Sequence, residues 1–167
     1  MNFLLAECAP EELVAYAPFH LSFSWEKDQL CYVGITKGEA SVVVEGSKEA
    51  ELLTKKWLTS YFEGTILPLP YKQAPTQFSR HVQEAMLEIP LGTTQSYGAI
   101  ASKIGRAKAS RAVGRACGAN PMPLVIPCHR VLARDASLCG FNRGLDIKQA
   151  LLTLEQKIQS GRAQGYC

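Results

Sequence analysis

The chain has 167 residues, 47% hydrophobic and 20% charged, enough for one good core or two small ones and not the composition of a disordered segment. Its longest apolar runs fall far short of a bilayer span, and the opening MNFLLAECAPEELVAY has no basic region and soon turns acidic, so neither a membrane segment nor a signal peptide is expected and a cytoplasmic location is. The net charge of +3 is unevenly placed: residues 1–70 are net acidic, whereas Leu91 to Arg134 carries Lys103, Arg106, Lys108, Arg111, Arg115, Arg130 and Arg134 and no acid. That split predicts two regions and turns the second toward a polyanion, a solvated basic face being the plainer alternative.

The first region, residues 1–70, reads as β then α. HLSFSW and QLCYVGITKG alternate, and ASVVVEG is β-branched, with glycines marking the turns. SKEAELLTKKWLTSYFEG then sets Leu52, Leu53, Lys56, Trp57 and Tyr61 at helical spacing, with Ser47 as N-cap and Gly64 past the end. LPLPYKQAP can continue neither a helix nor a central strand. Residues 71–75 are expected to be a linker or extended tether.

The second region, residues 76–167, reads as mostly helical. Thr76 can cap QFSRHVQEAMLEI, whose stripe is Phe78, Val82, Met86 and Ile89. Tyr97, Ile100, Ala101 and Ile104 form a short amphipathic helix ended by Gly105, followed by ASRAVGRACGAN. In that last stretch Ala109, Ala112, Val113, Ala116 and Cys117 make an apolar face, and Lys108, Arg111, Arg115 and Gly118 lie opposite. Two short helices joined by a glycine-containing turn form a helix-turn-helix pattern, and small residues such as Ala112 and Gly114 let the second helix approach a groove wall closely. The alternative is an αα-hairpin buried in a core. A closing helix follows CGFNRG, with Ile147, Leu151, Leu154 and Ile158 as its stripe and Glu155 beside it.

The six cysteines are Cys8, Cys31, Cys117, Cys128, Cys139 and Cys167, with no CxxC pair, so free thiols are expected. Cys8, His20, Cys31 and His81 would suffice in number and type for zinc but lack knuckle spacing. No metal and no cofactor is expected. PLVIPCHRVLAR places Cys128 between Pro127 and His129, with Arg130 next. A buried structural cysteine would account for this; so would an activated nucleophile, with His129 as base and Glu155 as the group that orients it. In an extended segment neighbouring side chains point to opposite faces, so direct contact between Cys128 and His129 is not assured and a water could relay the proton instead.

NPMPLVIPCHRV resembles the active-site signature of the O6-alkylguanine-DNA alkyltransferases, from Asn120 and Pro121 through the Pro127-Cys128-His129-Arg130 core. SRAVG is similar to that family's recognition helix, SYGAIA to the segment bearing its conserved tyrosine, and GLDIKQALLTLE to its final helix. The likeness is close over residues 76–158. It implies an α/β (α+β) protein, with a small ribonuclease H-like sheet-and-helix domain followed by a helical domain related to winged-helix DNA binders. It further implies a monomer that repairs O6-alkylguanine, and O4-alkylthymine, in double-stranded DNA by one irreversible alkyl transfer to Cys128, after the nucleotide is flipped out through the minor groove. Cys128, His129, Glu155 and Asn120 would be catalytic, with Arg111 filling the gap in the stack and Tyr97 rotating the phosphate. Arg115, Ala112, Gly114 and Arg130 would also contact DNA. Pro123, Phe141, Asn142 and Arg143 would line the alkyl pocket.

The chain departs from the family in the loop after the active site, where Tyr-x-Gly-Gly is common and Phe141-Asn142-Arg143-Gly144 stands here. Arg143 is expected to narrow the pocket mouth against bulky adducts. Three other readings compete with repair. A lesion-binding relative without transfer chemistry usually lacks the cysteine. A Cys-His-Glu hydrolase needs an oxyanion hole, and no helix N-terminus is expected at Cys128 to supply it. A transcription factor needs base-reading Asn or Gln on the helix that carries Arg111 and Arg115.

Overall fold

The computed structural model describes residues 1–163; Cys167 and the end of the expected second region lie outside the described residues. The fold is mixed α/β and divides into two compact units, Met1–Lys72 with the chain from Thr153 onward, and Gln73–Leu152.

In the first unit, strands β1 (Asn2–Leu4), β2 (Phe19–Glu26), β3 (Gln29–Lys37) and β4 (Ser41–Glu45) form one sheet in the order β1-β4-β2-β3. β2 runs antiparallel to β3 and parallel to β4. Alternation along β2 buries Phe19, Leu21, Phe23 and Trp25, and a register shift after Ser24 sets Trp25 opposite Leu30. β1, the 3-10 turn Leu5–Glu7 and the short helix α1 (Glu11–Val14) had no periodic signal long enough to be read from sequence.

Helix α2 (Lys48–Phe62) packs on β4, and Ser47 Oγ caps it by accepting from Ala50 N at 3.1 Å. The face expected to be apolar is rotated: Leu52 is 51% exposed, while Ala50, Thr54, Trp57, Leu58, Tyr61 and Phe62 are buried. Trp57 and Tyr61 stack at 5.4 Å and fix the inner face. Leu52, five residues before Trp57, points about 140° away on a helix turning about 100° per residue. The proline-rich stretch is an extended tether along the sheet edge: Leu30 N donates to Pro70 O and Lys72 N to Leu30 O, both at 2.9 Å.

In the second unit, α3 (Gln77–Leu87) is capped by Thr76 Oγ1, which accepts from Ser79 N at 3.1 Å, and buries Val82, Ala85 and Met86. It packs against α4 (Tyr97–Lys103) and α5 (Ser110–Gly118), the expected helix pair. Two-residue strands β5 (Gln95–Ser96) and β6 (Val131–Leu132) pair in parallel and bring the start of α4 beside the segment after Cys128. The closing helix α6 (Leu145–Ala163) contributes its first half to this unit. Among the described residues no helix is long and apolar enough to cross a membrane.

The indole N–H of buried Trp25 donates to Thr54 Oγ1 at 3.1 Å. Thr54→Val keeps the shape and strands that donor, so it should cost about 1–3 kcal/mol. Urea unfolding checks this: the midpoint should fall with the slope unchanged, and Thr54→Ser should recover most of the loss.

Candidate active site and nucleic-acid face

The segment leading to Cys128 is a strap folded around one amide. Asn120 Nδ2 donates to Ile126 O at 2.8 Å, and Asn120 Oδ1 accepts from Met122 N at 3.1 Å. Ile126 N closes the bend on Met122 O at 2.9 Å. Leu124, buried within the bend, has φ of 74°, a left-handed conformation that costs a bulky residue about 1–3 kcal/mol. The strap is therefore held against its local preference by its hydrogen bonds and its burial.

Cys128 opens a 3-10 turn, Cys128–Arg130, and not the extended segment expected from sequence. The turn is too short to act as a helix N-terminus, and the Cys128 N–H is already donated to Ile126 O at 2.8 Å. It is not free to serve as an oxyanion donor, which removes the main support a hydrolase would need. The thiol is buried, and burial raises its pKa above the ordinary range. A side-chain hydrogen bond from Asn120 and the charges of Lys148 and Arg143 offset part of that rise. At neutral pH Cys128 is a thiol and not a standing thiolate, so a base must take its proton when it reacts.

His129 follows in the same turn and is fully buried. Arg130 is buried too, and its Nη1 donates to Ile89 O at 2.7 Å. The expectation that Arg130 meets DNA is corrected: its buried guanidinium ties the turn to Ile89, just past α3, and is not offered to a phosphate. Glu155 is fully buried in the first unit, where it accepts from Tyr61 Oη at 2.9 Å. Tyr61 entered the sequence reading only as a packing residue.

Lys148 was missed. It is fully buried, and its Nζ donates to Val131 O at 2.7 Å and Cys139 O at 3.2 Å. Burial lowers its pKa; Cys139, Cys128 and Cys117 would act in the opposite sense only when ionised. The available signal was Lys148 and Glu155, seven residues apart on the same side of the closing helix as Leu151.

Cys117, Asn120, Pro123, Phe141, Asn142 and Arg143 gather around Cys128 to line a small recess. Cys117 is held inert, its thiol pushed up to about 12 chiefly by burial. Beside the recess runs an open groove lined by Tyr97, Ser110, Arg111, Gly114, Arg115 and Arg134. Arg111 and Arg115 are exposed, Ala112 is half-buried, and Val113 and Cys117 face the core. Tyr97 Oη donates to Cys139 O at 3.2 Å, and burial raises its pKa so that it stays a donor. No three His, Cys, Asp or Glu side chains converge on a metal-sized site among the described residues, so Cys8, His20, Cys31 and His81 do not assemble one.

A helix pair thus presents cations along a groove, beside a recess lined by the buried cysteines Cys117 and Cys128, the arrangement of a nucleic-acid-binding domain with a thiol beside its binding face. Residues 77–157 match the family model described as 6-O-methylguanine DNA methyltransferase, DNA binding domain. The methylated-DNA–protein-cysteine methyltransferase of Methanosarcina acetivorans is 41% identical over 136 residues, covering 78% of this chain and 87% of that protein. The inducible enzyme of that name from Bacillus subtilis is 41% identical over 122 residues, covering 72% and 68%. The crystal structure of Mycobacterium tuberculosis OGT in complex with DNA superposes with a TM-score of 0.67 at 30% identity, covering 83% of this chain and 94% of that one. The chain belongs to the methylated-DNA–protein-cysteine methyltransferase family.

Because the Cys128 pKa is raised, its thiolate fraction should grow about tenfold per pH unit through neutrality. Alkylation of Cys128 by iodoacetamide, followed by peptide mapping, should still be accelerating at about pH 8.5, the ordinary thiol midpoint. A plateau near neutrality would mean a preformed thiolate.

Proposed function

We propose that this chain repairs duplex DNA by moving the alkyl group of O6-alkylguanine, and of O4-alkylthymine, onto Cys128 Sγ in one irreversible step. The observation that carries this reading is the contiguity, within one unit, of the cationic groove and the recess over Cys128. A base still stacked in a duplex cannot present its O6 substituent to a protein nucleophile. It must be turned out first, at a cost of a few kcal/mol that is least for a damaged, poorly paired base.

Phosphate contacts from the basic face position the duplex without reading its sequence. Arg111 fills the space the base leaves, Tyr97 turns the backbone, and Arg115, Ala112 and Gly114 let the narrow helix lie against the minor groove. His129 takes the proton of Cys128 through water. Sγ then attacks the alkyl carbon, the carbon–O6 bond breaks with its electron pair going to the purine, and the proton ends on guanine. Asn120 keeps the strap, and hence Sγ, in place. Glu155 lies in the other unit, and its role rests on the family resemblance. A thioether offers no leaving path, so each molecule acts once. We place this activity in the cytoplasm and read the first unit as ribonuclease H-like and the second as related to winged helices.

Incubation with DNA containing O6-methylguanine should add one methyl group, mapped by intact mass and peptide analysis to Cys128. Cys128→Ala should abolish transfer while leaving DNA binding; a label on Cys117 or Cys139 would sink the assignment. Affinity for duplex should fall steeply with salt and depend little on sequence. Arg111→Ala should slow transfer from duplex far more than from free alkylated base. Equal loss on both substrates would make Arg111 a structural residue.

A further inference from the structure

Phe141, Asn142 and Arg143 form a three-residue flap over the recess, between two glycines in the left-handed region, Gly140 at φ 60° and Gly144 at φ 103°. Such positions suit glycine and provide a bend at each end of the flap. Both ends are anchored. Before the flap, Cys139 O accepts from Tyr97 Oη and Lys148 Nζ, each at 3.2 Å. After it, Gly144 O accepts from Lys148 N at 3.1 Å, where α6 begins.

The middle of the flap is tied to the groove-facing helix. Asn142 Nδ2 donates to Gly118 O at the last residue of α5. A Cβ on Gly118 would sit 3.7 Å from that nitrogen and 3.8 Å from Asn142 Oδ1, so the amide lies directly over the helix end. Gly118, Gly140 and Asn142 line both the recess and the groove, which puts this contact on the boundary between them. Beneath it the recess has a free volume of about 10 Å³, the scale of one water molecule. Pockets that hold small organic ligands run to about 300 Å³ and more. As it stands, the recess is too small to hold a purine.

We propose that Asn142 is a gating residue, whose amide latches the Phe141–Arg143 flap onto the C-terminal end of α5 and keeps Cys128 covered in the DNA-free protein. The proposal deepens the alkyl-transfer reading and, for its consequence, rests on it. The latch withholds the acceptor thiol from small electrophiles and free bases and favours a base delivered along the groove, which shares Gly118, Gly140 and Asn142 with the recess.

Two probes separate the latch from the alkyl-transfer reading. Cys128 is labelled with iodoacetamide and, separately, with free O6-benzylguanine, in wild type, Asn142→Ala and Asn142→Ser; both substitutions remove the amide without adding charge. Labelling of Cys31 reports on the first unit, and an unchanged urea midpoint reports that the second unit of each variant is folded. Loss of one hydrogen bond should speed both reactions at Cys128 about threefold to tenfold, with Cys31 unchanged. Unchanged iodoacetamide rates at Cys128 in both variants would overturn the latch, whatever happens to benzyl transfer. A rise with iodoacetamide, and no methyl transfer from DNA containing O6-methylguanine in any protein, would uphold the latch and count against the alkyl-transfer reading instead.

Discussion

Burial of the Cys128 thiol governs the rest of the site. A sulfur removed from water is harder to ionise, and here desolvation outweighs the Asn120 hydrogen bond and the charges of Lys148 and Arg143. A resting thiolate would react with whatever electrophile diffused in. A buried thiol reacts only when its proton has an acceptor and its electrophile is already seated. For a protein proposed to be spent in one reaction, that restraint is as useful as reactivity.

The cations divide into two kinds. Arg111 and Arg115 are exposed along the groove, where a charge keeps its hydration until a phosphate replaces it. Arg130 and Lys148 are buried and satisfied by backbone carbonyls: Ile89 O for the first, Val131 O and Cys139 O for the second. They hold the 3-10 turn and the approach to the flap in place. Truncating either would leave acceptors or a cavity in the interior, so a loss of activity there would report geometry and not lost phosphate contact.

Much of the fold was legible because its elements are locally consistent. Ser47 and Thr76 cap the helices they were expected to cap. The alternating strands are strands, and the helix pair with outward arginines lies where its pattern put it. What was not legible came from contacts distant in sequence. Leu52 is outside because Trp57 and Tyr61 choose the inner face of α2. The β5–β6 pair is two residues long and has no period to read.

At the site the sequence alone determined the residue types and their order: a thiol followed by His129 and Arg130, an asparagine eight residues earlier, and a cationic helix upstream. Those are covalent facts; by themselves they left a structural cysteine open, and the resemblance to the alkyltransferase signature pointed to the chemistry. Tertiary structure alone decided which of these groups keep their water. It buried Arg130 while leaving Arg111 exposed, raised the Cys128 pKa, brought Lys148 to Cys139 O, and laid Asn142 across Gly118. The physical reason is that desolvation and hydrogen-bond partnership belong to a position in space, and positions far apart in the chain meet only when it folds.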